Sequence, residues 1–440
     1  MVEHRPFKPR VIGSNPIRPT NLSYAVYLIM QNNYRYNILK YSFIAFPLSF
    51  AGLPIYLHAP DFYTTALGLN IEIIGISLLV LRVFDAICDP IIGYLSDKFF
   101  KHRDSILYLG TILLLLGFWM IFNPANSGSL ILWFCLSVFI CTLGYSILAI
   151  NVQALGGLWK INRANITRVM ATREGIGLIG LLSASILPTI LFIFVGENQY
   201  NSLFVVLLFF LLISLYIFIG WMKSSEISKP KKYIKPSIYK LFPSKKIKLI
   251  YTVYFFNTLA AAFPASLIIF YVRDFLGAEH LLGTFLLLYF ISGALSMPIW
   301  QKLSLKFSNI ISWMISMVFS LLTFIWAFFL DPGEIYGYYA VCLSSGMAVG
   351  ANLALPSAII AKYIVDNNFQ VYASSYYSLT NFISKSSLAL ASGTALPFLG
   401  FFGYVPGQDI QGYLMPFIYA LFPCLILILA IIFVIRLNKC

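Results

Sequence analysis

Six ionisable side chains lie inside long apolar stretches of this sequence, and they are the residues best placed to do chemistry. They are Arg82, Asp85, Asp89, Arg173, Glu174 and Lys385. A charged group at the centre of a bilayer costs about 3 kcal/mol or more unless it meets a partner or a water-filled cavity, so a functional role is the first hypothesis. The alternative is a set of static ion pairs that hold helices together.

Asp85 and Asp89 are four residues apart, so they share one helix face, and Arg82 lies on the same face three residues before Asp85. Pro90 donates no N–H, which frees the carbonyl of Ala86 one turn earlier. Carboxylate and carbonyl oxygens are hard ligands, suited to a proton or to a small hard cation.

Two carboxylates about 6 Å apart in an apolar medium cannot both stay ionised without a compensating charge. They must share a proton, bind a cation or meet a fixed positive group. Lys385, midway along a later apolar stretch, is the candidate for that group. A lysine that pairs with the acids in one state and not in another would be a suitable two-state element for a transporter.

The elements that must position these charges are membrane-spanning helices. Of 440 residues, 60% are hydrophobic and 10% are charged, against about 25% charged in soluble domains. The apolar runs are continuous and about 20 residues long, the length that a helix needs to cross a bilayer. This excludes a soluble enzyme, a secreted disulfide scaffold, a disordered chain and a barrel of alternating strands.

Twelve apolar runs can be located, and a polar segment with nine lysines and three prolines separates the sixth from the seventh. We therefore predict an all-α membrane protein with twelve transmembrane helices in two six-helix halves. The predicted helices cover roughly 38–58, 69–96, 105–122, 129–156, 171–195, 201–221, 247–271, 280–300, 309–330, 335–362, 371–399 and 412–436. The predicted units are a leader at 1–37, an N-terminal bundle at 38–221, a linker at 222–246 and a C-terminal bundle at 247–440.

The basic residues predict the orientation. With the N-terminus inside, 26 of the 30 Lys and Arg fall on the cytoplasmic side and only Arg273 falls outside, a strong positive-inside bias. Both termini and the linker are therefore expected in the cytoplasm. The net charge of +14 is then explained by loops near anionic membrane lipid, and no nucleic-acid partner is expected. We expect a monomer.

The two halves show a trace of internal repetition. Pro90, the Leu-Ser pair that ends at Ser96 and the Lys-Phe pair that ends at Phe99 recur 208 residues later. Related halves are typical of transporters whose substrate site lies at the membrane midplane between them. The second copy carries Gly293 and Met297 in place of the two aspartates, so the acidic site is expected to exist only once.

The segment from Arg82 to Gly93, RVFDAICDPIIG, resembles the helix-two signature of the glycoside-pentoside-hexuronide:cation symporters, the melibiose-carrier branch of the major facilitator superfamily. The stretch from Gly93 to Asp97 and Lys98 is similar to the loop motif of that superfamily. Lys385 and Arg173 stand in stretches that resemble the helix-eleven and helix-five patterns of the family.

This resemblance implies the major facilitator fold and a set of roles. Asp85 and Asp89 match the cation-site aspartates of the family. Ser146 stands where the melibiose carriers have a cation-site threonine. Lys385 matches the lysine beside the site, and Arg173 matches an arginine of the sugar pocket.

Some positions depart from the pattern of the family. Ser49 and Ala149 stand where two sugar-binding aspartates are expected, so a galactoside of the melibiose type is not expected to bind well. Cys88 replaces an asparagine between the two cation-site acids, and a thiol is a poor ligand for a hard cation. This favours H⁺ over Na⁺ as the coupling ion.

The function predicted is cation- or proton-coupled symport of a small solute, such as a sugar, a glycoside or a related organic solute, by alternating access in a bacterial inner membrane. The alternatives are a lysolipid transporter of the same fold and a receptor or scaffold that transports nothing. An enzyme is not expected, because no His-Glu-x-x-His motif and no Ser/His pair occurs within the apolar runs. No cofactor is expected beyond the coupling ion, H⁺ or Na⁺.

The candidate residues form three groups. The residues predicted to bind the coupling ion are Asp85, Asp89, Ser146 and Lys385. The candidates for solute binding are Ser49, Asn151, Gln153, Arg173 and Asn257, although Asn151 and Gln153, two apart on one helix, cannot both face the solute. The gating and charge-network candidates are Arg82, Gly93, Asp97, Lys98 and Glu174.

Overall fold

The computed structural model describes residues 34–125, 128–196, 199–228, 241–404, 407 and 412–439. Most of the predicted leader and the middle of the predicted linker lie outside these residues. Within the described ranges the chain is helical apart from turns, loops and one isolated β-bridge between Trp159 and Ile227. This agrees with the all-α prediction.

Twelve long helical segments follow one another in the described part of the chain. They are α1 (Tyr34–Ala66), α2 (Ile71–Lys98), α3 (Arg103–Phe122), α4 (Leu130–Leu158), α5 (Arg163–Val195), α6 (Gln199–Ser224), α7 (Lys245–Phe275), α8 (Leu282–Phe307), α9 (Asn309–Phe328), α10 (Ile335–Asp366), α11 (Ala373–Phe401) and α12 (Leu414–Asn438).

Ten of these segments are long and apolar enough to cross a membrane, counted over the described residues. The other two are α2, which carries Asp85 and Asp89, and α11, which carries Lys385. The chain is therefore a multi-pass membrane protein, and the number of twelve transmembrane helices stays a prediction. The charged and polar residues of α2 and α11 lower the mean hydropathy of these two helices.

Most helices differ from their predicted limits by a few residues, and the first and the fifth extend furthest, by eight residues at one end. The fifth begins at Arg163 rather than at 171, because its first turns are polar and a hydropathy window detects only the apolar part of a helix. The first continues past Pro54 to Ala66 through π-helical turns at Pro54–His58 and Phe62–Ala66. A wider turn is one way in which a helix accommodates a proline.

The helices divide into two halves, α1–α6 and α7–α12, each with apolar core clusters, one of which also includes Ala154 and Leu158 of α4 alongside C-terminal residues. Close helix pairs inside a half depend on glycine, as is usual in membrane proteins. A Cβ on Gly144 of α4 would lie 2.3 Å from the backbone nitrogen of Leu114 on α3. A Cβ on Gly346 of α10 would lie 2.2 Å from the carbonyl oxygen of Tyr289 on α8.

The halves meet along two seams. In one seam α2 and α4 pack against α11, and in the other α5 packs against α8 and α10. The second seam is apolar where Leu178 of α5 and Met297 of α8 belong to one buried cluster. The first seam carries the charges described below.

The halves close together at the end of the helices where α6 ends and α7 begins, which we call the linker end. There Ile166 and Met170 of α5 pack against Ala358 and Ala361 of α10. The hydroxyl of Thr167 donates a hydrogen bond of 3.0 Å to Asn309 Oδ1, although Thr167 and Asn309 belong to different halves.

Candidate functional site

Lys385 lies between the two aspartates of α2. Its Nζ is 2.9 Å from Asp85 Oδ2 and 2.8 Å from Asp89 Oδ1. Asp85 is 5% exposed and Asp89 is fully buried. One ammonium group from the C-terminal half therefore contacts two carboxylates of the N-terminal half and compensates one of their two negative charges.

Ser146 of α4 completes this group, which we call the charged cluster (Asp85, Asp89, Ser146 and Lys385). The serine hydroxyl accepts a hydrogen bond of 2.7 Å from Lys385 Nζ and donates one of 3.1 Å to Asp85 Oδ1. Asp89 Oδ2 is buried and has no hydrogen-bond partner among the described residues. That oxygen is available to a proton or to a cation.

The sequence of α2 explains why the acids face inward. Phe84, Ile87 and Ile91 are each more than half exposed in the protein alone, so their side of the helix faces the lipid. Asp85 and Asp89 lie on the opposite side. A charged group that faced the lipid would cost several kcal/mol, so ionisable groups on membrane helices are directed toward the interior of the bundle.

A cavity of about 250 Å³ lies beside the charged cluster, between the two halves. Residues from α1, α2, α4 and α11 line it. They are Gly52, Ile55, Tyr56, Arg82, Asp85, Thr142, Tyr145, Ala149, Gln153, Asn381, Ser384, Lys385 and Leu388. The lining thus combines aromatic rings, uncharged polar groups and three charged groups, a composition that suits a small polar ligand.

Arg82 enters this cavity next to Tyr56. Its guanidinium carbon lies 4.7 Å from the centre of the Tyr56 ring, within the range of a cation–π interaction. Of the three residues first singled out on this face of α2, Arg82 and Asp85 line the cavity, and Asp89 lies behind them against Lys385.

Of the five candidates for solute binding, Gln153 lines the cavity and the other four do not. Ser49 faces α5, since a Cβ on Gly177 would lie 2.8 Å from its hydroxyl oxygen. Asn151 is fully buried and donates a hydrogen bond of 3.0 Å to Ser96 Oγ, so it joins α4 to α2. As the spacing predicts, Asn151 and Gln153 face different surroundings.

Asn257 lies in the C-terminal half, away from the charged cluster. It borders a separate space of about 20 Å³ between α7, α9, α10 and α12. This space is too small for a solute.

Arg173 is buried and pairs with the adjacent Glu174, whose side chain is 23% exposed. Arg173 Nη1 has no hydrogen-bond partner among the described residues. Neither residue lines the cavity. The structure therefore separates this pair from the charged cluster.

Asp97 binds the beginning of α11 at the linker end. Its carboxylate accepts hydrogen bonds from the backbone N–H groups of Ser374 and Ser375, at 2.9 and 2.8 Å, and from the Ser375 hydroxyl at 2.7 Å. These N–H groups have no partner inside the helix, and a carboxylate there also interacts favourably with the helix dipole. Arg103 lies 3.6 Å from Asp97 and donates to Ser374.

Gly93 allows α2 to approach α11 one turn before Asp97. A Cβ at this position would lie 2.2 Å from Ser378 Oγ and 2.8 Å from the Ser374 carbonyl oxygen. Lys98, by contrast, is exposed, with its Nζ 5.4 Å from the centre of the Phe99 ring. Gly93 and Asp97 thus contact the other half, and Lys98 lies at the surface.

Several residues that line the cavity were not predicted from the sequence, although their helical spacing could have indicated them. Asn381, Ser384 and Leu388 share the face of Lys385 on α11, and Thr142, Tyr145 and Ala149 share one face of α4. The partners of Asp97 gave no such signal, because Ser374 lies 277 residues away in the sequence.

The sequence model of the family described as MFS/sugar transport protein matches residues 41–438. This match includes every residue of the charged cluster and of the cavity.

Solved structures resemble this fold at low sequence identity. A bacterial homologue of the iron transporter ferroportin, in an outward-facing state, has a TM-score of 0.71 at 16% identity, covering 92% of this chain and 100% of that chain. FucP, a Major Facilitator Superfamily transporter in the outward conformation, has a TM-score of 0.64 at 14% identity, covering 91% and 98%. At such identities the likeness shows the fold alone.

Proposed function

Because this chain belongs to the MFS/sugar transport protein family, and is therefore a membrane transporter, we propose that it couples the symport of a small solute to H⁺ or Na⁺ by alternating access. The charged cluster binds the coupling ion, and the cavity beside it binds the solute. The family membership supports transport rather than catalysis or a purely structural role.

The observation that carries this proposal is the double ion pair of Lys385 with Asp85 and Asp89. The acids belong to α2 in one half and the lysine to α11 in the other. The same contact therefore compensates part of the negative charge of the acids and holds the two halves together. A buried carboxylate that loses its cation is strongly destabilised, so the pairing and the packing of α2 on α11 depend on each other.

A coupling ion would weaken this contact. A proton or a cation on Asp89 competes with Lys385 for the carboxylate, and the lysine then has one acid fewer to hold it against α2. Asp89 Oδ2, buried and without a described partner, offers the place for the incoming ion. The seam between α2 and α11 can then open, which is the step that alternating access requires.

We favour H⁺ as the coupling ion. Cys88, which stands between the two acids, packs with Ile92, Ile147 and Ile150 rather than adding an oxygen ligand. The Lys385 ammonium lies within 3 Å of both acids, and its charge opposes a second fixed cation. A proton needs only one carboxylate oxygen.

The size of the cavity favours a small solute over a lysolipid. Its volume of about 250 Å³ is just below the range for small-molecule sites, roughly 300–1,000 Å³. The two halves are packed together at the linker end, so we expect the solute to reach the cavity from the opposite side. If the linker is cytoplasmic, as its basic residues predict, this is an outward-facing state in a bacterial inner membrane.

Accumulation in proteoliposomes tests the proposal once a solute has been found. Sugars, organic acids and lysolipids would be screened by their effect on the thermal unfolding of the purified protein, with and without Na⁺. Uptake of the solute that binds would then be measured under an inward pH gradient and, separately, under an inward Na⁺ gradient. We expect the pH gradient to drive the larger accumulation.

The Asp89→Asn variant should lose accumulation and keep slow downhill exchange, because the amide preserves the shape of the side chain and removes its charge. Asp104→Asn is the matched control, since Asp104 is half exposed and lies outside the cavity. Uptake that follows Na⁺ and ignores pH would exclude coupling to protons. Full accumulation by both Asp85→Asn and Asp89→Asn would exclude the coupling site itself.

A further inference from the structure

One positively charged side chain that lines the cavity, Arg82, is not part of the charged cluster. Among its lining residues the charged side chains are Arg82, Asp85 and Lys385. Lys385 is engaged by both carboxylates of the cluster. Arg82 forms no salt bridge with any residue in the described part of the chain. Its guanidinium group lies over the Tyr56 ring.

A guanidinium that lies over an aromatic ring still has its edge free. Its N–H donors lie in the plane of the group, so contact with the ring through one face leaves them able to bind another group. This edge fits the two oxygens of a carboxylate, with two parallel hydrogen bonds. Polar side chains for the rest of a ligand are close by, since Gln153, Asn381 and Ser384 line the same cavity.

The balance of charge also indicates the kind of ligand. With Arg82 and Lys385 positive and both acids ionised, these four side chains have no net charge. A proton or Na⁺ at the acids raises the sum by one positive charge. In a site of low dielectric that excess is costly, and a monovalent anion removes it.

We propose that the solute is a small monovalent organic anion whose carboxylate binds Arg82 above the Tyr56 ring. This inference rests on the proposed function, and it names the solute class of the same cavity. It also gives an order of events, in which the coupling ion binds first and increases the affinity for the anion. The loaded carrier then has no net charge in this cavity and can reorient without carrying an unbalanced charge.

Matched pairs of acidic and neutral ligands test the proposal directly. We would use D-galacturonate with D-galactose, D-glucuronate with D-glucose, and lactate with lactamide. Dissociation constants would come from thermal unfolding of the full-length purified protein at low and high pH. The variants are Arg82→Gln, which removes the charge, and Arg82→Lys, which keeps it. Arg436→Gln is the matched control, because Arg436 also lies over a ring, that of Phe433, outside the cavity.

We expect at least one acid to bind about 10- to 100-fold more tightly than its neutral partner, the range for charge-assisted hydrogen bonds. This preference should increase as the pH falls, disappear in Arg82→Gln, return in part in Arg82→Lys and persist in Arg436→Gln. A neutral partner that binds as tightly as its acid, a preference that survives Arg82→Gln, or a panel in which no acid binds would each overturn the proposal.

These outcomes are separable from failure of the proposed function. Binding of acids that depends on Arg82, without uptake driven by either gradient, would support the solute class and reject coupled symport. Gradient-driven uptake of a neutral solute that is unaffected by Arg82→Gln would do the reverse.

Discussion

At the scale of single residues, Lys385 stabilises two carboxylates at once, and this is an unusual demand on one side chain. Its ammonium group contacts Asp85, Asp89 and Ser146 within 3 Å. Removing it would leave two acids close together in a buried site with only a serine hydroxyl as a described partner. Their repulsion and desolvation would then be uncompensated.

The variant Lys385→Gln should therefore lose about 3–5 kcal/mol of stability, the usual cost of breaking a buried ion pair from one side. Because a proton between the two acids relieves their repulsion, this variant should be more stable at about pH 5 than at about pH 8. The measurement is thermal unfolding of the purified protein across this pH range.

The control is the double variant Lys385→Gln/Asp89→Asn, which removes one charge of each sign. It should recover most of the lost stability, because the remaining Asp85 still accepts the Ser146 hydroxyl. Equal destabilisation of the single and double variants would mean that Lys385 acts through packing and not through its charge.

At the scale of elements, the contact between α2 and α11 depends on a glycine and on a helix cap. Gly93 lets the helices approach, and Asp97 then binds the first free N–H groups of α11. Both features lie near the linker end, whereas the charged cluster lies further along the same two helices. The contact between α2 and α11 is thus stabilised at two positions along the helices, near the linker end and at the charged cluster.

The variant Gly93→Ala should separate α2 from α11 at the linker end, because the new methyl group would lie 2.2 Å from Ser378 Oγ. The first amides of α11 should then exchange with deuterium faster, since the Asp97 carboxylate can no longer reach them. Hydrogen–deuterium exchange of the peptide containing Ser374 and Ser375 measures this.

Gly75→Ala on the same helix is the matched control, because a Cβ there would meet no atom within 4 Å. It should leave the exchange of that peptide unchanged. If both variants exchange alike, close approach at Gly93 does not hold the linker end together.

At the scale of the whole molecule, the predicted orientation of the chain rests on the distribution of lysine and arginine. A cysteine introduced at Lys245, beside the linker, should react only with reagents that reach the cytoplasmic side. A cysteine at His280, exposed before α8, should react only from the outside. The assay is labelling of intact cells with a membrane-impermeant maleimide, in a variant without the native cysteines. The opposite pattern would reverse the sidedness proposed above.

The sequence predicted the charged residues of the site better than the polar ones. Intramembrane charges must find partners, so Asp85, Asp89 and Lys385 could be grouped from energetics and family resemblance before any geometry was known. Nothing comparable constrains Ser49 or Asn257, because a serine or asparagine in a membrane helix can face a neighbouring helix as readily as a cavity. The rotation of each helix about its axis was therefore not predictable from these residues.

The central claim is that the charge on Asp89 controls how firmly the two halves hold together. The most direct test is the distance between spin labels at Lys101 and Asn367, which are exposed at the linker end in different halves. It would be measured by double electron–electron resonance in a variant without native cysteines, from high to low pH. A long-distance population should grow as the pH falls, and it should already be present at high pH in Asp89→Asn. Identical distance distributions in both proteins at every pH would contradict the claim.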